Sequence, residues 1–148
     1  MKKALLIVCI AFLLGADDKK DDANKKDLEK MQGDWAAVSM VQDGIKLPDD
    51  DAQALFRTVK GDKYTVFRYS EVLAKWSFTI DVTKSPKTID IRKPDDDKAE
   101  PVLGIYEFDG GLYRQCVARP GKDRPTAFEA KEGSGWTLTV WEREKKAK

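Results

Sequence analysis

The chain has no histidine, so the side chain that most often serves as a general base near neutral pH and as a transition-metal ligand is missing. The other reactive groups are two cysteines and three acidic clusters. Cys9 follows Val8 inside an apolar run, a poor fit to a lipoprotein box, and reads as part of a leader. Cys116 lacks a histidine to activate it and reads as a small buried hydrophobe, not a nucleophile or metal ligand. Asp17, Asp18, Asp21 and Asp22 lack the glycine and closing glutamate of an EF-hand loop. Asp49, Asp50 and Asp51 follow Pro48 and suit the capping and dipole of a short helix. Asp95, Asp96 and Asp97 read as a solvated loop tip. Acid–base work by paired carboxylates needs two of them converging on a pocket, and no spacing here shows such a pair. The expectation is a non-enzyme with no catalytic residue, metal site or cofactor.

Binding chemistry has more candidates. Gln115 alternates with Tyr113 and Val117 and is the one polar residue expected to face an interior; a register slip of one residue would put it on the surface instead. Arg119, Lys122 and Arg124 in "RPGKDRPT" would suit an anionic partner, with Asp123 cancelling part of the charge; the same stretch also reads as a rigid connection with solvated charges.

These residues must be positioned by strands, because short alternating segments separated by turn residues dominate from Trp35 onward. In "KWSFTID", Trp76, Phe78 and Ile80 share one face; in "KTIDIRK", Ile89 and Ile91 do. "GWTLTVWER" places Trp136, Leu138 and Val140 opposite Thr137, Thr139 and Trp141. In "KYTVFRY", Tyr64 and Val66 compete with Phe67 and Tyr69 for the inner face. Glycine, proline and aspartate punctuate the segments in "QDGIKLP", "VKGDK", "KPDDDK", "FDGGL" and "KEGSG". Strands are expected near 35–41, 56–60, 63–69, 72–80, 88–92, 102–108, 112–118 and 136–143, with a ninth segment at 126–130 as an option. One short helix is expected in "PDDDAQALF". A meander of about eight strands buries its edges by closing into an antiparallel up-and-down barrel, either filled by side chains or holding one small ligand; an open sandwich is the alternative. Trp35, Trp76, Phe78, Tyr106, Phe108 and Trp136, at ~150–250 Å² each, would fill a small barrel if all pointed inward.

The 148 residues allow one ordinary domain, and 27 basic against 26 acidic residues leave no net field to favour nucleic acid or an anionic membrane. "MKKALLIVCIAFLLGA" has the pattern of a signal peptide over residues 1–16, with Leu14 ill suited to a cleavage site after Ala16; an uncleaved anchor is the alternative. The apolar run is short of the ~20 residues that span a bilayer, so no stable membrane insertion is expected after its removal. Location is expected to be extracytoplasmic, either periplasmic or secreted. Loss of the leader would leave Cys116 alone, with no intramolecular disulfide. "DDKKDDANKKD", residues 17–27, reads as a solvated charged linker. The folded domain is expected over 28–144, with a charged tail at 145–148.

Gly33-Asp34-Trp35 at the head of the first strand resembles the G-x-W signature of lipocalin-like barrels. That likeness implies a tryptophan plugging the closed end and a basic residue of the last strand packed over it, a role open to Arg143; otherwise Arg143 merely begins the charged tail. Over 28–144, the stretches "MQGDWAAVSMVQDGIKLP", "VKGDKYTV", "PKTIDI", "LGIYEFDG", "PGKDRPTAF" and "GSGWTLTVWER" resemble, in order, a family of small exported domains of unknown function from planctomycete bacteria. The resemblance implies a lipocalin-like barrel and no established catalytic residues. Two function classes stay open. One is a carrier of a small apolar or amphipathic ligand in the barrel, lined by Trp76, Phe78, Tyr106, Gln115 and Trp136. The other is a filled barrel acting as an interaction or inhibitor module on an unidentified envelope protein.

Overall fold

The computed structural model describes residues 14–145. Its elements in chain order are helix α1 (Leu14–Met31), strands β1 (Gly33–Gln42) and β2 (Ile45–Lys46), helix α2 (Asp49–Gln53), then β3 (Leu55–Lys60), β4 (Lys63–Arg68), β5 (Glu71–Asp81), β6 (Thr88–Arg92), β7 (Val102–Asp109), β8 (Leu112–Ala118) and β9 (Trp136–Arg143). Each strand from β3 to β9 pairs antiparallel with its sequence neighbour, and β9 returns to pair with β1. The result is a closed eight-stranded, lipocalin-like up-and-down barrel, with β2 a two-residue spur on β1. Closure leaves none of the eight main strands as a sheet edge.

Alternation decides what fills it. Trp35 and Ala37 of β1, Leu55 and Val59 of β3, Tyr64 of β4, Phe78 of β5, Ile89 and Ile91 of β6, Tyr106 of β7, Tyr113 of β8 and Trp141 of β9 form one buried cluster with Met31 of α1. Tyr64 and Val66 therefore take the inner face of β4, leaving Phe67 outward.

The last strand is inverted relative to the alternation expected for it. Trp141 and Thr139 face inward, paired across the ladder with Tyr113 and Gln115, while Trp136, Leu138 and Val140 pair with Ala118, Cys116 and Arg114 on the outer face. The outer face of β9 carries the more apolar residues, Trp136, Leu138 and Val140, because that face is covered too. Residues 126–130 form no strand; they belong to the long β8–β9 connection, which folds back over the outside of the barrel. The connection buries Pro125 and Ala130 alongside Ile105, Cys116 and Ala118. Cys116 Sγ donates to the carbonyl of Glu129 (3.4 Å) there.

The amino-terminal side also differs from expectation. The segment read as a linker, 17–27, is part of α1. Its charge blocks place Asp21 and Asp22 four residues before Lys25 and Lys26, the favourable helical spacing. Lys20, Ala23, Asn24, Asp27, Leu28 and Met31 recur at helical spacing and are the less exposed positions. Half of that stripe is polar, Lys20, Asn24 and Asp27, so the hydrophobic pattern is too weak to mark a helix. The proposed leader falls largely on residues 1–13, outside the described residues, and its cleavage point after Ala16 falls within α1.

Helix α2 lies where the aspartate triplet placed it, but Pro48 occupies the N-cap and no side chain caps the first turn. Asp49 and Asp51 pair instead with Lys46 (3.4 Å) and Arg68 (3.1 Å).

Candidate functional site

The barrel has two unlike ends. At the end where β1 begins, α1 crosses the opening and its last turn forms a floor. Gly33 has φ +104°, a conformation costly for any residue with a Cβ, and a Cβ there would stand 3.4 Å from Arg143 Nη1. This turn lets the chain leave α1 and enter β1 with Trp35 pointing into the barrel. The Trp35 indole N–H donates to the carbonyl of Met31 (2.8 Å). The Arg143 guanidinium lies 4.4 Å from the centre of the Trp35 ring and donates to the carbonyls of Gln32 (2.8 Å) and Lys30. Its positive charge thus sits at the carboxyl end of α1, where the helix dipole favours it. The structure therefore brings Gly33, Trp35 and Arg143 together.

Three further contacts fasten α1. Buried Asp27 accepts from Lys87 Nζ (2.7 Å) and from the Tyr106 hydroxyl (2.9 Å). Asn24 accepts from the Val82 amide (3.0 Å). Gln32 accepts from the Gly61 amide and donates to its carbonyl, at 2.7 and 3.0 Å, holding the β3–β4 turn.

Above the floor lies a polar cluster. Arg57, on the inner face of β3, is only 3% exposed. Its guanidinium carbon lies 4.4, 4.9 and 5.4 Å from the ring centres of Tyr113, Trp141 and Tyr64. Arg57 Nη1 donates to Gln115 Oε1 (3.2 Å), which also accepts from the Tyr113 hydroxyl (2.9 Å). Burial raises the phenol pKa values of Tyr64 and Tyr113, with the Arg57 charge opposing the rise. Burial also raises Tyr106, reinforced by its bond to Asp27. These phenols stay protonated, and those of Tyr106 and Tyr113 act as donors. Beneath Arg57, a void among Met31, Val59, Tyr64, Phe78, Ile89 and Tyr113 has no space for a water-sized molecule. The lower half of the barrel is solid.

The upper half is lined mainly by apolar side chains. Following the paired registers around the barrel puts Thr139, Trp76, Val66, Val117, Leu55 and Val102 at one height above Arg57 and Gln115, with Met40 higher. Met40, Val66, Trp76, Val102 and Val117 pack against the core yet keep part of their surface open. The mouth opposite α1 is thus ringed by apolar side chains over a polar floor.

Of the residues expected to line a ligand, Trp76 stands in the apolar ring at the mouth and Gln115 lies buried beneath it. Phe78 and Tyr106 face inward lower down, within the solid half. Trp136 does not line the interior, because the inverted β9 turns it to the outer face. Arg57 was not visible as a candidate in the sequence: an arginine between Phe56 and Thr58 reads as a surface residue, and only the inward positions of Leu55 and Val59 on either side signal otherwise. Arg119 and Lys122 stay exposed. Arg124 is structural: Nη1 donates to the carbonyls of Gly104 (2.8 Å) and Ile89 (3.3 Å), and Nη2 pairs with Asp90 (2.7 Å).

Two open clefts flank α1 outside the barrel. One of about 660 Å³ is lined by Ala23, Lys26, Asp27, Glu29, Lys30, Val82 and Lys87. The other, of about 400 Å³, adds Lys84, Phe108 and Phe128. Lys87, which lines both clefts, is paired with Asp27. Among the described residues no helix is long and apolar enough to cross a membrane.

No family model, curated protein or solved structure matches the chain.

Proposed function

We propose that this is an exported binding barrel that holds a small amphipathic ligand in the cup opposite α1. The observation that carries the reading is the ring of inward-facing, half-buried apolar side chains, Met40, Val66, Trp76, Val102 and Val117, over the Arg57–Gln115 floor. A concave apolar wall with a few fixed polar groups is the usual make-up of a ligand site. The filled lower half limits the ligand to one that fits the cup alone. Export is supported by the basic-then-apolar pattern of residues 1–16.

Native mass spectrometry of protein purified from its own host tests the reading, paired with a titration of Nile red followed by dye emission. A co-purifying small molecule, or a dye signal abolished by Val66→Arg in a folded variant, supports the cup. A bare protein that leaves the dye unperturbed overturns it.

A second reading, an interaction module, is favoured by Ile45, Tyr69, Val72 and Leu73, which are 72%, 73%, 49% and 51% exposed and gather at the same end as the mouth. Partner capture that survives Val66→Arg but not Tyr69→Ser would favour it over the cup.

A further inference from the structure

Arg57 and Trp141 touch, and both carry buried donors that the protein leaves without acceptors. From this pair we infer that the cup selects a ligand with a monoanionic head, a carboxylate in the first instance. The inference rests on the cup reading and adds the chemistry of the ligand to it.

Arginine is charged at every pH the folded protein meets, and a buried charge is costly unless paired and hydrogen-bonded. Among the described residues no carboxylate forms a salt bridge with Arg57, and the buried carboxylate of the barrel, Asp27, is taken by Lys87 and Tyr106. The rings of Tyr64, Tyr113 and Trp141 stabilise the cation through their faces. They supply no acceptor for its in-plane N–H groups. Gln115 Oε1 accepts from Nη1 and is shared with Tyr113, while Arg57 Nε has no partner among the described residues. The indole N–H of Trp141 is likewise buried and unpartnered.

The deficit in this cluster is one-sided, because these unpartnered groups are donors and the net charge is positive. An alcohol head would supply an acceptor without charge, and an ammonium head would add a donor and a repulsion. A carboxylate supplies two acceptor oxygens and the missing negative charge, in a geometry that suits a guanidinium edge. The apolar wall directly above Arg57 and Gln115 would cover the attached tail. A small free anion shares the head chemistry but makes no use of that wall.

Isothermal titration of the full chain at pH 8 with decanoate, 1-decanol, decyltrimethylammonium and acetate tests this. The expected order is decanoate tightest, by about ten-fold or more over decanol, with the ammonium compound weakest. Acetate should be undetectable at the concentrations that saturate with decanoate. Arg57→Met should bring decanoate to the level of decanol, and Arg57→Lys should keep part of the preference. Equal binding of decanoate and decanol to the unaltered protein would overturn the anion inference and leave the cup standing. Acetate binding as tightly as decanoate would overturn the amphiphile in favour of a free small anion. No binding by any tail-bearing compound would remove the cup and the inference together. The comparison among ligands is made on the unaltered protein, so it decides even if Arg57→Met fails to fold.

Discussion

Arg143, on the last strand of the barrel, holds its guanidinium carbon 4.4 Å from the ring centre of Trp35, on the first. The same arginine reaches back 111 and 113 residues to the carbonyls of Gln32 and Lys30. One side chain therefore ties together the closure of the sheet, the plug residue and the end of α1.

That arrangement predicts coupling. Trp35→Phe and Arg143→Met, measured singly and together by urea unfolding, should deviate from additivity by roughly 0.5–2 kcal/mol. Additive losses would show that the stacking contributes nothing beyond the hydrogen bonds to the α1 carbonyls.

Asp27 should matter far more than Asp81 of β5, the carboxylate that pairs with Lys20 of α1. Asp27 is 5% exposed and satisfies both Lys87 and Tyr106. Asp27→Asn leaves an unpaired lysine against the barrel rim and is expected to cost about 1–3 kcal/mol. Asp81→Asn removes the more exposed pair with Lys20 and keeps an oxygen that can accept from Thr83, so it should cost less than Asp27→Asn. Equal losses in thermal or urea unfolding would contradict the role assigned to Asp27.

Arg57 is predicted to be a stability liability. Replacing a buried, incompletely paired charge by an apolar side chain of similar length is often neutral or stabilising by about 1–4 kcal/mol, so Arg57→Met should unfold at equal or higher urea concentration. A loss above about 2 kcal/mol would show that the aromatic contacts alone account for an arginine at this position.

Cys116 should act through packing alone. Burial pushes its thiol up to about 11, so alkylation by iodoacetamide at pH 8 should be far slower than in the urea-unfolded chain. Cys116→Ala should cost about 1 kcal/mol and leave any binding at the proposed cup unchanged. Rapid labelling of the folded protein would place the β8–β9 connection away from the strand.

The same burial sets a limit at high pH. Tyr64, Tyr106, Tyr113 and Cys116 all have their folded pKa raised. Their contribution is complete below the unfolded values, near 9 for the thiol and 10 for the phenols. As pH rises past those values the unfolded chain loses protons that the folded chain retains, so stability falls. Urea midpoints should drop between pH 8.5 and 11, with tyrosinate absorbance appearing only as the protein unfolds. A flat midpoint over that range would contradict the buried phenols.

The strands were legible because alternation and turn residues are local signals, and the segments expected at 63–69, 88–92 and 112–118 match β4, β6 and β8 closely. The Gly33–Trp35–Arg143 grouping was legible through a motif at one end of the chain and a basic residue at the other. The face of β9 was not, since Trp136 and Trp141 are both aromatic and stand on opposite sides; the cover supplied by the β8–β9 connection is a tertiary fact. Helix α1 was hidden because it docks by Asp27, Asn24 and Lys20 rather than by an apolar stripe. Arg57 was hidden for the opposite reason, a charge placed where alternation reserves the position for the interior.

The ladder from Trp35–Arg143 to Gln42–Thr137 joins the first strand to the last. Until β9 has left the ribosome, β1 and β8 each present an open row of backbone donors and acceptors, the template on which chains add to one another. A pairing between the extremes of the domain has high contact order, which slows folding. The vulnerable interval for this protein is therefore the one before its final strand arrives, and a chain truncated before Trp136 should aggregate rather than persist as a smaller sheet.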